Sequence, residues 1–418
     1  MQQETSTYHD VFLTKQPVFD GEGRLWGFEL RYRGSRNPDG ANSDNDLASL
    51  AVTAAASLCP TDGLSEDIRI ALAFSAKSIL AGVPEALPPD NLVVVIRETQ
   101  ANNPDLKLAL PHLAERGYRI AVNDYRARPD AEWLLAMADY LFIDMADAPP
   151  QEIAHTASRG GIAGKQLVAR QVDDVQTRQL AATIGCSLFQ GYFFKQPEIV
   201  SRRSLSSQEA GRLRLLKLIQ RGDQALEELA EAIRADVALS YRLISYLNTP
   251  FFGMRHTIRS VEQAVTLLGW RQMVDWLRVI ILADFANGDA ARELAFASVQ
   301  RARFLELAAC KANMHADMAR SRFLLGLFSL LDVMLATPMN ELLDPMNLEP
   351  EIRAALLGEE NEASAWLGLA IAFEKGDWEG LDAAMSAMDL DPAMIAHSYA
   401  ESLDWTALLL MEPPMNAR

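Results

Sequence analysis

Gly27-Phe28-Glu29-Leu30-Arg31-Tyr32-Arg33 is the stretch that decides how the first half of the chain is interpreted. The apolar run at 25–28 ends on a carboxylate, Glu29, and two arginines follow it. In an α/β barrel, the side chains that carry the chemistry stand at the ends of strands. The stretch therefore predicts a strand with a functional side chain at its end.

The rest of the first half alternates between two hydrophobic periods. Short β-rich runs occur at 68–74, 92–96, 118–122, 140–143 and 166–168. Stretches with helical spacing separate them, at 47–57, 106–115, 131–137 and 174–184. Strands that alternate with helices predict a mainly parallel sheet, and this many units favours a closed barrel over an open sheet. No GxGxxG follows the first strand, so a dinucleotide-binding fold has no support.

The residues at the predicted strand ends define the candidate site. In chain order they are Glu29, Ala73, Val95, Asn123, Asp124, Phe142, Arg170, Asp173 and Gln190. Several are apolar, so the predicted barrel mouth carries fewer polar groups than an enzyme of this architecture would need.

On these residues the first half resembles an EAL domain, the barrel phosphodiesterase that hydrolyses cyclic di-GMP. Four stretches carry the resemblance, in the order that the family has them: 16–20, 27–30, 123–125 and 190–193. The resemblance covers about residues 10–200 and implies an α/β fold, an EAL-like (β/α) TIM-type barrel.

The departures from the family imply that catalysis is lost. The family resembles enzymes with two divalent ions, which need several oxygen ligands. Family positions that bind the metal ions fall here on Ala73, Val95 and Asn123. The family's lysine falls on Phe142, and one of its acidic residues falls on Arg170. We call these five the lost positions. The positions that keep a ligand-binding side chain are Gln16, Glu29, Arg33, Asp124, Asp173 and Gln190. We therefore expect no catalytic residue, no metal and no cofactor, and weak or absent binding of cyclic di-GMP.

Each surviving polar residue also has an ordinary structural interpretation. Glu29 would form a local ion pair with Arg31 or Arg33. Asp124 and Asp144 would cap the helices that follow their strands. Gln190 and the glycine after it would only close the barrel.

The second half has helical spacing almost throughout, after a polar linker at 201–207. It resembles an HDOD domain, the helical output domain related to HD hydrolases, through the stretches 233–240, 247–253 and 264–269. Catalytic HD domains carry a His-Asp pair where this chain has Ser329 and Leu330. The resemblance implies an all-α domain, at about 205–410, that acts through protein contacts.

A cluster of aromatic residues and methionine gives the candidate partner-binding surface. It comprises Phe251, Phe252, Met254, Trp270 and Trp276. Such residues are enriched in interface cores, and the alternative is that they fill the core between helices.

Composition limits the class of protein. The formal net charge of −17 argues against a general nucleic-acid surface. The three cysteines, Cys59, Cys186 and Cys310, form no CxxC motif and are typical of a reducing cytosol. The polar first ten residues do not resemble a signal peptide, and no apolar run is long enough to span a bilayer. We expect a cytoplasmic protein without membrane insertion.

The function predicted from the sequence is a catalytically inactive signalling protein that binds another signalling protein through its helical half. A homodimer is also compatible with the resemblance to EAL domains. Two alternatives stay open: a cyclic di-GMP phosphodiesterase with an altered metal site, and a non-hydrolytic cyclic di-GMP sensor.

Overall fold

The computed structural model describes most of the chain. The described residues are 11–34, 68–146, 148–162, 164–191, 193, 219, 226–234, 237–248, 258, 260–284, 288–335, 338–343 and 348–410. The predicted helix at 47–57, the linker at 201–207, Cys59, Phe251, Phe252 and Met254 lie outside them.

Eight strands close into one barrel in the order β1 to β8. The strands are β1 Val11–Asp20, β2 Leu25–Gly34, β3 Arg69–Ala73, β4 Leu92–Arg97, β5 Arg119–Asn123, β6 Tyr140–Asp144, β7 Gln166–Arg170 and β8 Leu188–Gln190. Alternate residues point inward, where Val93, Val95, Phe142 and Val168 belong to one apolar cluster that fills the interior.

The predicted fold class is wrong, because this barrel is not of the TIM type. Strand β1 runs antiparallel to both of its neighbours, β2 and β8. A tight turn, with no helix, joins β1 to β2, and the Asp20 carboxylate accepts the backbone N–H groups of Glu22 and Arg24 in it, both at 2.9 Å. A connection this short permits only an antiparallel pair, because a parallel pair needs a crossover. The other neighbouring pairs, from β2 to β8, are parallel.

Helices follow several of the barrel strands. They are α1 Ala76–Leu80, α2 Leu106–Glu115, α3 Glu132–Met137, α4 Pro150–Ile162 and α5 Val175–Thr183, with 3₁₀ turns at Val83–Ala86, Glu98–Asn102 and Pro129–Ala131. A second apolar cluster, which includes Leu72, Leu110, Ile120 and Leu141, packs the outward strand faces against these helices.

The later part of the described chain is helical. Its helices are α6 Leu226–Arg234, α7 Val237–Leu247, α8 Val261–Asp284, α9 Asp289–Lys311, α10 Ala316–Phe328, α11 Leu331–Leu335, α12 Met339–Leu343, α13 Pro350–Leu356, α14 Glu362–Lys375, α15 Trp378–Ala387 and α16 Pro392–Leu410. Gly269 lies inside α8 with non-helical backbone angles, φ 68° and ψ 177°, and the helix is kinked there.

The chain divides into two compact units, and the division does not follow sequence order. The first unit contains residues 1–196, 288–290 and 368–400, and the second contains 197–287, 291–367 and 401–418. Residues 368–400, which are mainly helical, therefore cluster with the barrel.

The second unit has charged groups in its core. Arg322 is 1% exposed and lies 3.2 Å from Glu351 and 3.1 Å from Glu362. Its guanidinium thus connects α10 to α13 and to the start of α14. Among the described residues, no helix is both long and apolar enough to cross a membrane.

Candidate functional site

The inward-facing ends of four strands meet around one guanidinium, that of Arg170 at the end of β7. Its Nε donates to Gln190 Oε1 at 3.1 Å, and its Nη1 donates to Asn123 Oδ1 at 2.6 Å. Nη2 lies 3.4 Å from Glu29 Oε2, and Nη1 lies 3.4 Å from Asp124 Oδ1. Strand-end residues that are far apart in sequence are thus brought together around a positive charge of the protein itself.

Glu29 and Arg170 are both buried, with 3% and 8% of their surfaces exposed. The Glu29 carboxylate also accepts a hydrogen bond of 2.6 Å from Gln190 Nε2. Buried charges are tolerated when they are paired and hydrogen-bonded, and both conditions are met here.

The backbone after β7 is held close to β8, and this positions the group. A Cβ atom on Gly191 would lie 2.3 Å from the carbonyl oxygen of Val172, so only glycine fits at this approach. Val172 N–H donates to Gln190 O at 3.0 Å, and Phe193 N–H donates to Val172 O at 2.9 Å. The Gln190-Gly191 pair therefore does help to close the barrel, and its glutamine also contacts Arg170 and Glu29.

Three of the positions that are predicted to have lost a ligand lie in the barrel interior. Val95 and Phe142 are fully buried in the interior cluster, and Ala73 packs against it. None of the three has an oxygen in its side chain. Within the part of the chain that the structure describes, no group of three or more His, Cys, Asp or Glu side chains is placed to hold a metal ion.

The other predicted ligand residues contact residues 374–382 of the first unit. Gln16 Nε2 donates to the carbonyl oxygens of Glu374 at 3.1 Å and Lys375 at 2.9 Å. Arg33 forms a two-pronged ion pair with Asp382, at 2.8 and 2.7 Å. Asp173 Oδ2 lies 3.8 Å from Lys375 Nζ.

The ordinary interpretations of the acidic residues are replaced by other contacts. Glu29 pairs with Arg170, and Arg33 pairs with Asp382. Asp124, whose φ of 53° lies in the left-handed region, contacts Arg170 rather than capping a helix. Asp144 accepts the backbone N–H of Ala146 at 2.9 Å, ahead of α4.

Sequence reasoning missed the residues beside Gln16 that meet the same segment. Thr14 Oγ1 donates to Glu374 O at 3.1 Å, and Phe12 lies 5.7 Å from Phe373 between ring centroids. Thr14 and Phe12 are buried, at 0% and 1% exposure. The signal in the sequence was the alternation of Phe12, Thr14 and Gln16, which share one face of β1 with the inward-facing Val18. A strand face of this kind packs against another part of the chain.

The second unit has a buried arginine beside Ser329, one of the two residues predicted to replace a His-Asp pair. Arg301, 4% exposed, donates from Nη1 to Ser329 Oγ at 2.9 Å. A Cβ atom on Gly326 would lie 2.4 Å from Ala302 N, so this glycine allows α10 to approach α9 there. Leu330, at the second position of the replaced pair, is buried. Burial raises the pKa of the nearby Asp332 carboxyl.

The described members of the candidate partner surface are not prominently exposed. Trp276 is 4% exposed and lies in the helical core, and Trp270 is half-buried. Leu267, on the same helix, is an exposed apolar side chain, at 45%.

Comparison with known proteins identifies one domain class. Residues 206–347 match the HDOD domain family. The prediction of an HDOD domain in the second half is thus confirmed over those residues, and its extension to 410 stays a prediction.

Two curated proteins are similar to this chain over nearly its whole length. YuxH of Bacillus subtilis is 28% identical over 403 residues, which are 94% of this chain and 98% of that protein. The cyclic di-GMP phosphodiesterase CdgJ of Vibrio cholerae is 28% identical over 409 residues, 96% of this chain and 93% of CdgJ. Among solved structures, the EAL domain of Mycobacterium smegmatis DcpA is similar, with a TM-score of 0.37 and 19% identity over 44% of this chain and 90% of that one.

Proposed function

We propose that this chain is a non-catalytic regulatory protein, within cyclic di-GMP signalling or derived from it, that acts by binding another protein. The observation that carries the proposal is the Arg170 guanidinium among Glu29, Asn123, Asp124 and Gln190. The guanidinium contacts the side-chain oxygens that a metal cation would need as ligands at this position. A cytoplasmic location, inferred from the sequence, belongs to the same proposal.

The residues present do not fit a pair of divalent cations. Such ions take several oxygen ligands each, whereas the side chains of Ala73 and Val95 supply none and their carbonyl oxygens accept from Tyr32 and Phe74. A fixed guanidinium beside the remaining carboxylates would also repel an incoming ion. We therefore assign no catalytic step to this site.

The first prediction is that the purified chain does not hydrolyse cyclic di-GMP. With excess Mg²⁺ or Mn²⁺, formation of the linear dinucleotide is expected to stay at the level of a blank without protein. The reason is the absent oxygen ligands at Ala73 and Val95 and the apolar Phe142 in place of a lysine. Product that disappears in Glu29→Ala would instead support the phosphodiesterase alternative, which the similarity to CdgJ favours.

The sensor alternative is tested by titration calorimetry at low salt. A dissociation constant near or below micromolar, about −8 kcal/mol, would favour a cyclic di-GMP sensor. We expect weaker binding, because Glu29 and Asp124 place carboxylates at the mouth that repel phosphate groups.

The second prediction concerns the helical output. Leu267 lies within the HDOD match and is 45% exposed, so an acidic group there would disrupt an apolar contact without opening the core. Leu267→Glu is expected to reduce capture of a protein partner by the full-length chain while leaving the melting temperature unchanged.

Leu108→Glu is the matched control, since Leu108 lies on barrel helix α2 with 81% exposure. Equal loss of capture in both variants, or no loss in Leu267→Glu, would contradict an output surface at this position. Mixing tagged and untagged copies of the chain shows whether the captured partner is a second copy, which tests the predicted homodimer.

A further inference from the structure

Strands β1 and β2 form a two-stranded ribbon that extends beyond the barrel. The last pair between β2 and β3 is Leu30 with Leu72, whereas β1 and β2 remain paired as far as Val11 and Gly34. The ribbon therefore projects from the end of the barrel at which Glu29 and Arg170 lie.

One face of this ribbon continues the inner face of the barrel. Alternate residues of a strand share a face, so Phe12, Thr14 and Gln16 lie on the side of Val18, which points into the interior cluster. The register places Gln16 opposite Glu29, Thr14 opposite Arg31 and Phe12 opposite Arg33. Two guanidinium groups thus project from the ribbon face that adjoins the barrel mouth.

Residues 373–382 cover this face and bring acceptor groups to its donors. The carbonyl oxygen of Lys375 accepts from Gln16 Nε2 and Arg31 Nη1, both at 2.9 Å. Lys375 is the last residue of α14, so its carbonyl oxygen lies at the negative end of the helix dipole. The Asp382 carboxylate adds a full negative charge on Arg33.

As a result, every predicted ligand residue of the mouth is engaged within the first unit. Glu29, Asp124 and Gln190 contact Arg170. Gln16, Arg33 and Asp173 contact the segment 373–382 through its backbone and side chains. The carboxylate and carbonyl oxygens of the segment meet the cationic ribbon as the oxygens of an anionic ligand would.

We propose that residues 373–382 are an internal occupant of the barrel mouth and compete there with phosphate-bearing ligands of the cyclic dinucleotide class. The ligand class rests on the proposed function. The competition itself rests on the shared donors Gln16, Arg31 and Arg33. A ligand gains these donors only when the segment leaves them.

The test displaces the segment by charge reversal. Asp382→Arg places a cation against Arg33 and is expected to release the segment. Hydrogen exchange in peptides covering 373–387 should then accelerate about tenfold or more, since local opening sets the exchange rate. Calorimetry with cyclic di-GMP as the probe should show binding at least about tenfold tighter than in the unmodified chain, equivalent to 1.4 kcal/mol.

Asp130→Arg is the matched control, because Asp130 forms a similar two-pronged pair with Arg128, at 3.0 and 2.7 Å, away from the segment. It should change neither readout. Labelling of the buried Cys186 thiol reports loss of the whole barrel fold. If Asp382→Arg exposes that thiol, the milder Asp382→Asn takes its place with the same expected direction.

The outcomes distinguish failure of the competition at the mouth from failure of the proposed non-catalytic function. Unchanged exchange at 373–387 in both Asp382 variants would overturn the role of this ion pair in holding the segment. Faster exchange without a gain in binding would overturn the competition. Hydrolysis of the probe by the unmodified chain would contradict the proposed function and is read independently, as the linear product.

Discussion

Replacing Arg170 with methionine is expected to lower the free energy of unfolding of the barrel unit by about 3–5 kcal/mol. The substitution leaves the Glu29 carboxylate, 3% exposed, without its cationic partner. It also removes the donors that Gln190 Oε1 and Asn123 Oδ1 accept from. A buried charge that loses one partner costs far more than a surface pair does.

The barrel contains its own reporter for this measurement. Cys186 is buried, and burial raises the pKa of its thiol to about 12, so it reacts with thiol reagents only when the barrel opens. The labelling rate of Cys186 should rise by about two to four orders of magnitude in Arg170→Met, as 1.4 kcal/mol corresponds to tenfold.

Two further variants make this result specific. Arg119→Met removes an exposed ion pair with Asp139 at 3.0 Å and should cost at most about 1 kcal/mol. Adding Glu29→Gln to Arg170→Met removes the uncompensated charge and should recover part of the stability. A small effect of Arg170→Met, equal to that of Arg119→Met, would mean that Glu29 is solvated rather than held by Arg170.

The candidate site could be predicted from the sequence to the extent that strand ends converge. Alternating strands and helices placed Glu29, Asn123, Arg170 and Gln190 at the ends of four different strands, and the structure brings these four together. The sequence could not show that Arg170 reaches the centre of the group. That depends on which neighbours leave room for its side chain, a property of packing rather than of order along the chain.

Neither the antiparallel direction of β1 nor the packing of residues 373–382 on its inner face could be predicted from the sequence. The TIM-type prediction assumed that a helix follows every strand. Strand β1 is followed directly by β2, with which it pairs antiparallel, and so the prediction was wrong. Gln16 and Arg33 were assigned to a ligand, whereas they meet Lys375 and Asp382, more than 300 positions away in sequence. Periodicity carries no information on contacts at that separation.

Replacing Phe373 with alanine is expected to weaken the packing of residues 368–400 on the barrel by about 3–5 kcal/mol, the usual cost for a fully buried aromatic side chain. Phe373 is 0% exposed, and its ring stacks on that of Tyr399 with 3.8 Å between centroids. It also contacts Phe12 of β1 and Trp378 of α15, at 5.7 and 6.0 Å. The loss is measured as faster hydrogen exchange in peptides covering 373–387, since local opening sets the exchange rate.

The comparison variant is Phe373→Leu, which keeps most of the apolar volume and should cost less than about 1.5 kcal/mol if repacking is possible. Cys186 labelling distinguishes two roles for the aromatic cluster, because this thiol lies in the barrel rather than in residues 368–400. If Phe373→Ala accelerates labelling of Cys186, the barrel depends on the segment for its own stability. If exchange rises only at 373–387 while Cys186 stays protected, the barrel holds its fold without the segment. The second outcome is the one that the competition at the mouth requires, since a ligand can replace the segment only on a barrel that remains folded.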